Sequence, residues 1–272
     1  MADALLSQLV LERKIDIVIR SEQYKKICNT GWYEDYTGTE AIWELSKGTL
    51  NAVSNGSGEG FVWVRTNDYT VISCYLTPND TIGEFENKLH NIEEKAREIG
   101  GSLIIAGDFN SKAIEWDSTT TNSRDRRVLD MVSRLRLAVA NSSFATTFRR
   151  PGCEATTPDI TLVSDTFSGA LRDWKVLEDY TGCDRQYVEF RITLRESAAT
   201  DYQPSRMRKW RVDHLDVPTL LAAIDSRVAE RDPILNSFYK LVMFPCQKRE
   251  DQPERKPHTG GPSKSQKCGP SV

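Results

Sequence analysis

Histidine is scarce in this chain. Only His90, His214 and His258 occur among 272 residues, so a histidine proton shuttle has few places to come from. The six cysteines, Cys28, Cys74, Cys153, Cys183, Cys246 and Cys268, are scattered, and no C-x-x-C pair occurs. That argues against a zinc ribbon or a redox pair. No apolar run approaches the roughly 18 to 20 residues of a membrane span. The opening "MADALLSQLVLERK" mixes charges into its apolar pattern, unlike a signal peptide. An intracellular protein with reduced thiols is expected. A surplus of positive charge is also lacking: the formal net charge is -3. No global basic field draws in polyanions, and any such contact must come from local patches.

What is present is an ordinary globular balance, 39% apolar and 28% charged, enough for a real core. Leu5, Leu6, Leu9 and Val10 recur at helical spacing within residues 3 to 13. A β-rich run, "IDIVIRSEQY", follows and ends at Ser21 and Glu22. Residues 31 to 60 are rich in Gly, Ser, Thr and Asn, which suggests loops and short strands. Phe61 to Arg65 and Tyr69 to Leu76 read as a hairpin turning at Thr66-Asn67-Asp68. A helix capped by Asp80 or Thr81 presents Phe85, Leu89, Ile92, Ala96 and Ile99 as one stripe, and Gly100-Gly101 stops it. Residues 123 to 135 read as a second amphipathic helix through Val128, Val132 and Leu135. Further strands are expected around Ala138, Thr147, Ile160 to Val163, Trp174 to Leu177 and Tyr187 to Leu194.

This mixture predicts a layered α/β domain over residues 1–195. Residues 196–215 form a polar linker with a basic cluster, "RMRKWR", and 216–244 a possible short helical segment. Residues 245–272 are rich in Pro, Gly, Lys and Ser and are expected to be disordered.

The informative stretch is "SLIIAGDFNS". An apolar strand stops at Gly107, and Asp108 and Asn110 follow two positions apart, so both project over one sheet rim. Gly, Asp and Asn are also common turn formers. Three further acids stand at strand edges: Glu22 ends "DIVIRSE", Asp159 begins "PDITLVS", and Asp184 precedes "RQYVEF". Carboxylates at four strand edges are what a hard divalent cation needs.

With "SEQY", "SCYLTP", "AGDFN", "TTFRRPGCEATTPDITLVS" and "LEDYTGCDRQYVEF" in this order, residues 3 to 194 resemble the endonuclease domain of arthropod non-LTR (LINE-type) retrotransposons. These belong to the endonuclease/exonuclease/phosphatase superfamily, with DNase I-like and apurinic endonucleases. The resemblance implies a four-layer α-β-β-α sandwich and cleavage of a phosphodiester in double-stranded DNA, aided by Mg2+ or Mn2+. It gives Glu22 the metal, with Asp184 in support. Asp108 would accept the proton of the attacking water, and Asn110 would fix a phosphate oxygen. Tyr75 would hydrogen-bond the scissile phosphate, and Asp159 would orient a histidine after Asp184. A monomer is implied, nuclear if functional, without membrane contact.

Two departures stand out. The family's Ser-Asp-His reads Cys183-Asp184-Arg185 here, and arginine can pair with phosphate or with Asp159 but cannot yield a proton near neutral pH. The family's opening strand, which carries a metal-site asparagine, is missing before the first helix. Its loss would open a sheet. There is also no Tyr-x-Asp-Asp polymerase signature. A copy truncated at both ends, with impaired nicking, is expected. The alternatives are a relic that at most binds DNA, and a phosphodiesterase for a lipid or small phosphate, against which "RRPGCEATTPDITLVS" speaks. Arg124, Arg126, Arg127, Arg149 and Arg150 could meet a DNA backbone or simply be solvated.

Overall fold

The computed structural model describes residues 1–23, 31–45, 50–113, 116, 121–142, 145–194 and 237–245. Helix α1 (Ala2–Arg13) buries Leu6, Leu9 and Val10, and ends where Lys14 turns left-handed. Helix α2 (Ile82–Ile99) starts from a capping box, in which Thr81 accepts from the Glu84 backbone and the Glu84 carboxylate accepts from that of Thr81. Phe85, Leu89, Ile92 and Ala96 are its buried stripe. Helix α3 (Ser123–Arg134) repeats the device with Asn122 and Asp125.

The strands are β1 (Ile17–Ser21), β2 (Trp32–Glu34), β3 (Glu40–Glu44), β4 (Ser54–Gly58), β5 (Phe61–Arg65), β6 (Thr70–Tyr75), β7 (Leu103–Asp108), β8 (Leu137–Val139), β9 (Asp159–Ser164), β10 (Leu171–Val176), β11 (Val188–Leu194) and β12 (Ser237–Pro245). They form two six-stranded sheets, ordered β10-β11-β12-β1-β3-β2 and β4-β5-β6-β7-β9-β8. Strand alternation divides the core into layers. Ile17, Ile19, Ile42, Val71, Ile104, Leu241 and Met243 meet between the sheets. Val18 and Val242 turn outward to Leu6, Leu9 and Val10 of α1. Ile72, Ile105 and Leu162 turn outward into the cluster that holds Phe85, Leu89 and Val128 of α2 and α3. The layers are therefore α-β-β-α, as the resemblance implies.

The expected gap in the first sheet is filled. Strand β12 lies between β1 and β11, parallel to β1 from Ile17↔Leu241 to Ser21↔Pro245. It runs antiparallel to β11 from Val188↔Met243 to Leu194↔Ser237. The backbone groups of β1 thus keep partners on both sides, and the layered body extends past residue 195. This corrects the helical expectation for 216–244, because 237–244 are strand. The apolar run "FYKLVMF" pairs on both edges, which outweighs weak helical spacing. The rest of 216–244, the linker 196–215 and the tail after 245 lie outside the described residues. Thr147 is not in a strand either: its neighbour Phe148 makes only isolated bridges, to Thr156 and Arg185.

Candidate active site

The seam between the sheets changes character along its length. On the inner face of the second sheet, β6 reads Val71, Ser73, Tyr75; β7 reads Ile104, Ala106, Asp108; β9 reads Val163, Thr161, Asp159. Register places Tyr75 opposite Asp108, and Asp108 opposite Asp159. From the first sheet, β1 runs Ile17, Ile19, Ser21, and β3 sets Glu40 against Ser21. One end of the seam is apolar and the other polar, and the candidate residues stand at the polar end.

Backbone geometry aims them. At Gly107 an added Cβ would collide with the Cys74 carbonyl, so only glycine lets β7 run this close to β6 before Asp108. Just past the strand ends, Glu22 (φ 56°) and Asn110 (φ 44°) adopt left-handed backbone. That conformation suits Asn but costs Glu about 1 kcal/mol or more, a kind of strain that clusters at functional sites. It turns the Glu22 carboxylate inward, where its Oε1 accepts from the Tyr75 hydroxyl. The Asn110 backbone donates to Asp108 Oδ1 at 2.9 Å.

Asp108 and Asp159 are fully buried, and the cation between them is Arg185. Its Nη2 donates to Asp108 Oδ2, and its Nη1 lies 3.8 Å from Asp159 Oδ2. The guanidinium sits 5.0 Å over the Phe148 ring, and its side chain is 3% exposed. Burial pushes the Asp108 carboxyl up to about 8; Arg185 pulls it down, and Asp159 and Glu22 push it further up. Burial also raises Asp159 against the pull of Arg185. Burial opposes the charge of Arg185, but Asp108 and Asp159 outweigh it, so its proton is held more tightly than usual. Burial, reinforced by the hydrogen bond to Glu22, pushes the Tyr75 hydroxyl well up.

The structure thus brings Glu22, Tyr75, Asp108, Asn110, Asp159 and Arg185 to one end of the seam. Asp184 turns elsewhere: its Oδ2 lies 3.7 Å from Arg150 Nε, and its carbonyl accepts from the Arg149 backbone at 2.8 Å. His90 is on α2 beside Glu94, and His214 and His258 lie outside the described residues. Among the described residues, no three acidic, histidine or cysteine side chains converge as a metal cage. Oxygen donors of the right hardness are present in Glu22 and Asp108. Among the described residues these donors do not make up a complete divalent-cation site, and Arg185 supplies the local positive charge.

Sequence reasoning missed Glu40 and Phe148. Glu40 is fully buried and accepts from Ser21 Oγ at 3.2 Å and from Ser73 Oγ. Period-two spacing from the core residue Ile42 could have revealed it.

A family model described as Endonuclease-reverse transcriptase matches residues 69–189, the stretch from β6 to β11. Similar solved structures include the endonuclease domain of TRAS1, a telomere-specific non-LTR retrotransposon. It is 25% identical, with a TM-score of 0.60, over 70% of this chain and 91% of that one. An AP endonuclease from Archaeoglobus fulgidus is 13% identical, with a TM-score of 0.53, over 66% of this chain and 89% of that one. A variant of the 3' phosphatase NExo from Neisseria, bound to product DNA hairpin, is 16% identical, with a TM-score of 0.50, over 67% and 91%. The last two speak for the fold alone. No curated protein matches in sequence.

Proposed function

We propose that the chain, whose residues 69–189 match the endonuclease-reverse transcriptase family model and which is similar to the TRAS1 endonuclease domain, is a DNA endonuclease of the non-LTR retrotransposon type, in the endonuclease/exonuclease/phosphatase superfamily, whose phosphodiester cleavage is impaired. The observation that carries this reading is the row Tyr75-Asp108-Asp159 closed by Arg185. Asp108 stands where a base for the attacking water would stand. Asn110 Nδ2 is buried without a hydrogen-bond acceptor among the described residues, which supports its role as a donor to a phosphate oxygen. Tyr75 is a second donor at the same rim, and Glu22 and Asp108 are the oxygen donors nearest to what Mg2+ or Mn2+ requires.

Arg185 explains the impairment. Its guanidinium occupies one oxygen of Asp108, competes with any incoming cation for that charge, and keeps its own proton. Asp159 holds an arginine where the resemblance calls for a histidine. General acid–base help of this kind is worth about 10²- to 10⁴-fold in rate, so cleavage is expected to be slow.

A second reading, binding without cleavage, is favoured by the lack of a converging metal cage among the described residues. Supercoiled plasmid with Mg2+ or Mn2+ separates the two. Slow nicking that vanishes in Asp108→Ala supports the endonuclease. Duplex binding by fluorescence anisotropy with no nicking above Asp108→Ala leaves the binding-only reading. Absence of both ends the DNA assignment.

A further inference from the structure

Among the described residues, the polar end of the seam holds a buried carboxyl, Glu40, that the proposed chemistry does not use. Glu40 reaches from β3 of the first sheet across to β6 of the second. Its Oε2 accepts from Ser21 Oγ at 3.2 Å and from Ser73 Oγ. Its Oε1 is buried and has no hydrogen-bond partner among the described residues. Ser21 directly precedes Glu22, and Ser73 stands two residues before Tyr75 on the same face of β6. Glu22 and Tyr75 come from different sheets, yet their side chains meet in a hydrogen bond. Elsewhere the described contacts between the two sheets are mostly apolar, through side chains such as Ile19, Ile42 and Ala106, which fix spacing loosely because their contacts have no direction; a directed link, Trp174 Nε1 donating to Thr161 Oγ1 at 3.0 Å, lies toward β9 and β10.

We propose that Glu40 is a positioning residue: by bridging Ser21 and Ser73 it sets the sheet separation at the site floor and so holds Glu22 against Tyr75. An apolar side chain of similar volume would pack this seam at no desolvation cost, and an oxygen left without a partner is a further penalty. A feature that works against stability and bonds the neighbours of two site residues, Ser21 beside Glu22 and Ser73 two before Tyr75, is explained by what it holds in place. Burial, with Asp35 from the β2–β3 turn and Asp108 from β7 adding negative charge, favours the protonated acid despite the serine hydrogen bonds. A neutral Gln can therefore take over the bridge.

The proposal takes its purpose from the nuclease reading, but its test does not require nicking. The full chain, carrying tyrosine labelled with carbon-13 at Cζ and held in EDTA, gives one resonance for Tyr75, assigned by its loss in Tyr75→Phe. Glu40→Gln is expected to leave that resonance in place. Glu40→Leu and Ser73→Ala are expected to move it toward the position of exposed tyrosines, with the thermal midpoint kept or raised. A resonance unmoved in Glu40→Leu, or one displaced by Glu40→Gln, overturns the proposal. If Glu40→Leu does not fold, Ser73→Ala decides alone: displacement supports the bridge, and an unmoved resonance ends it. A protein that shows the shift but never nicks DNA retains this inference and loses the endonuclease.

Discussion

On the proposed reading Asp108 meets two opposed demands, to be basic enough to take a proton and to lie fully buried among other carboxylates. Arg185 reconciles them electrostatically by lending one positive charge to Asp108 and Asp159. Removing one member of such a buried pair typically costs about 3 to 5 kcal/mol. The loss is tempered where the remaining carboxyls can take up protons. Arg185→Met is therefore predicted to destabilise the protein strongly at pH 8.5 and much less at pH 5.5, as read from denaturant midpoints at both values. Equal losses at the two pH values would show that the guanidinium acts by packing on Phe148 rather than by charge. At Gly107, by contrast, the demand is steric. Gly107→Ala forces a Cβ into the Cys74 backbone, and a loss of about 3 kcal/mol or more is expected from overpacking that no side chain can relieve.

At the scale of elements, β12 decides whether there is a site at all. It is the last described strand in sequence, yet it lies inside the first sheet next to β1. Ending the chain at residue 195 should strip one edge of β1 and leave Ile17, Ile19, Phe190 and Ile192 without Leu241 and Met243 as neighbours in the seam. Such a fragment is predicted to lose its cooperative thermal transition and to bind ANS; a sharp transition like that of the full chain would contradict the topology. Most other elements were legible in the sequence because each carries its own signal. The stripe of α2 lies between Thr81 and Gly100, and β7 is an unbroken apolar run ending at Gly107. The place of β12 was not legible, because pairing between strands more than 200 residues apart leaves no local mark. The site was legible as a set of strand-edge acids. The pairing of Arg185 with Asp108, as well as with Asp159, needed the register of β7 and β9, and the turn of Asp184 toward Arg150 needed the bridge between Phe148 and Arg185.

For the molecule as a whole, the buried acids set a pH dependence. Asp108 is raised to about 8, and Asp159 and Glu40 are raised as well. The folded protein then holds more protons than the unfolded chain, whose carboxyls titrate near pH 4. Their stabilisation is complete below about pH 4 and is lost as pH rises toward about 8, by up to ~1.4 kcal/mol per pH unit per group. Thermal midpoints in EDTA should fall between pH 5.5 and 8.5, and Asp108→Asn should flatten the slope; a rising midpoint would refute the assignment. Net charge is -3, so attraction to DNA has to come from the rim. There Arg149 pairs with Glu178 and Arg150 with Asp184. Arg150→Ala is predicted to weaken duplex binding alike for all sequences and to reduce the salt slope by about 1.

The most direct test of the account is the nicking rate of Arg185→His relative to the natural protein, at fixed Mg2+ and with both proteins checked for equal thermal stability. A histidine between Asp108 and Asp159 frees the base and can exchange a proton near neutral pH. The predicted result is a gain of about 10²-fold that disappears when Asp108→Ala is added. A well-folded Arg185→His protein that nicks no faster than the original would contradict the claim that Arg185 is what restrains this site.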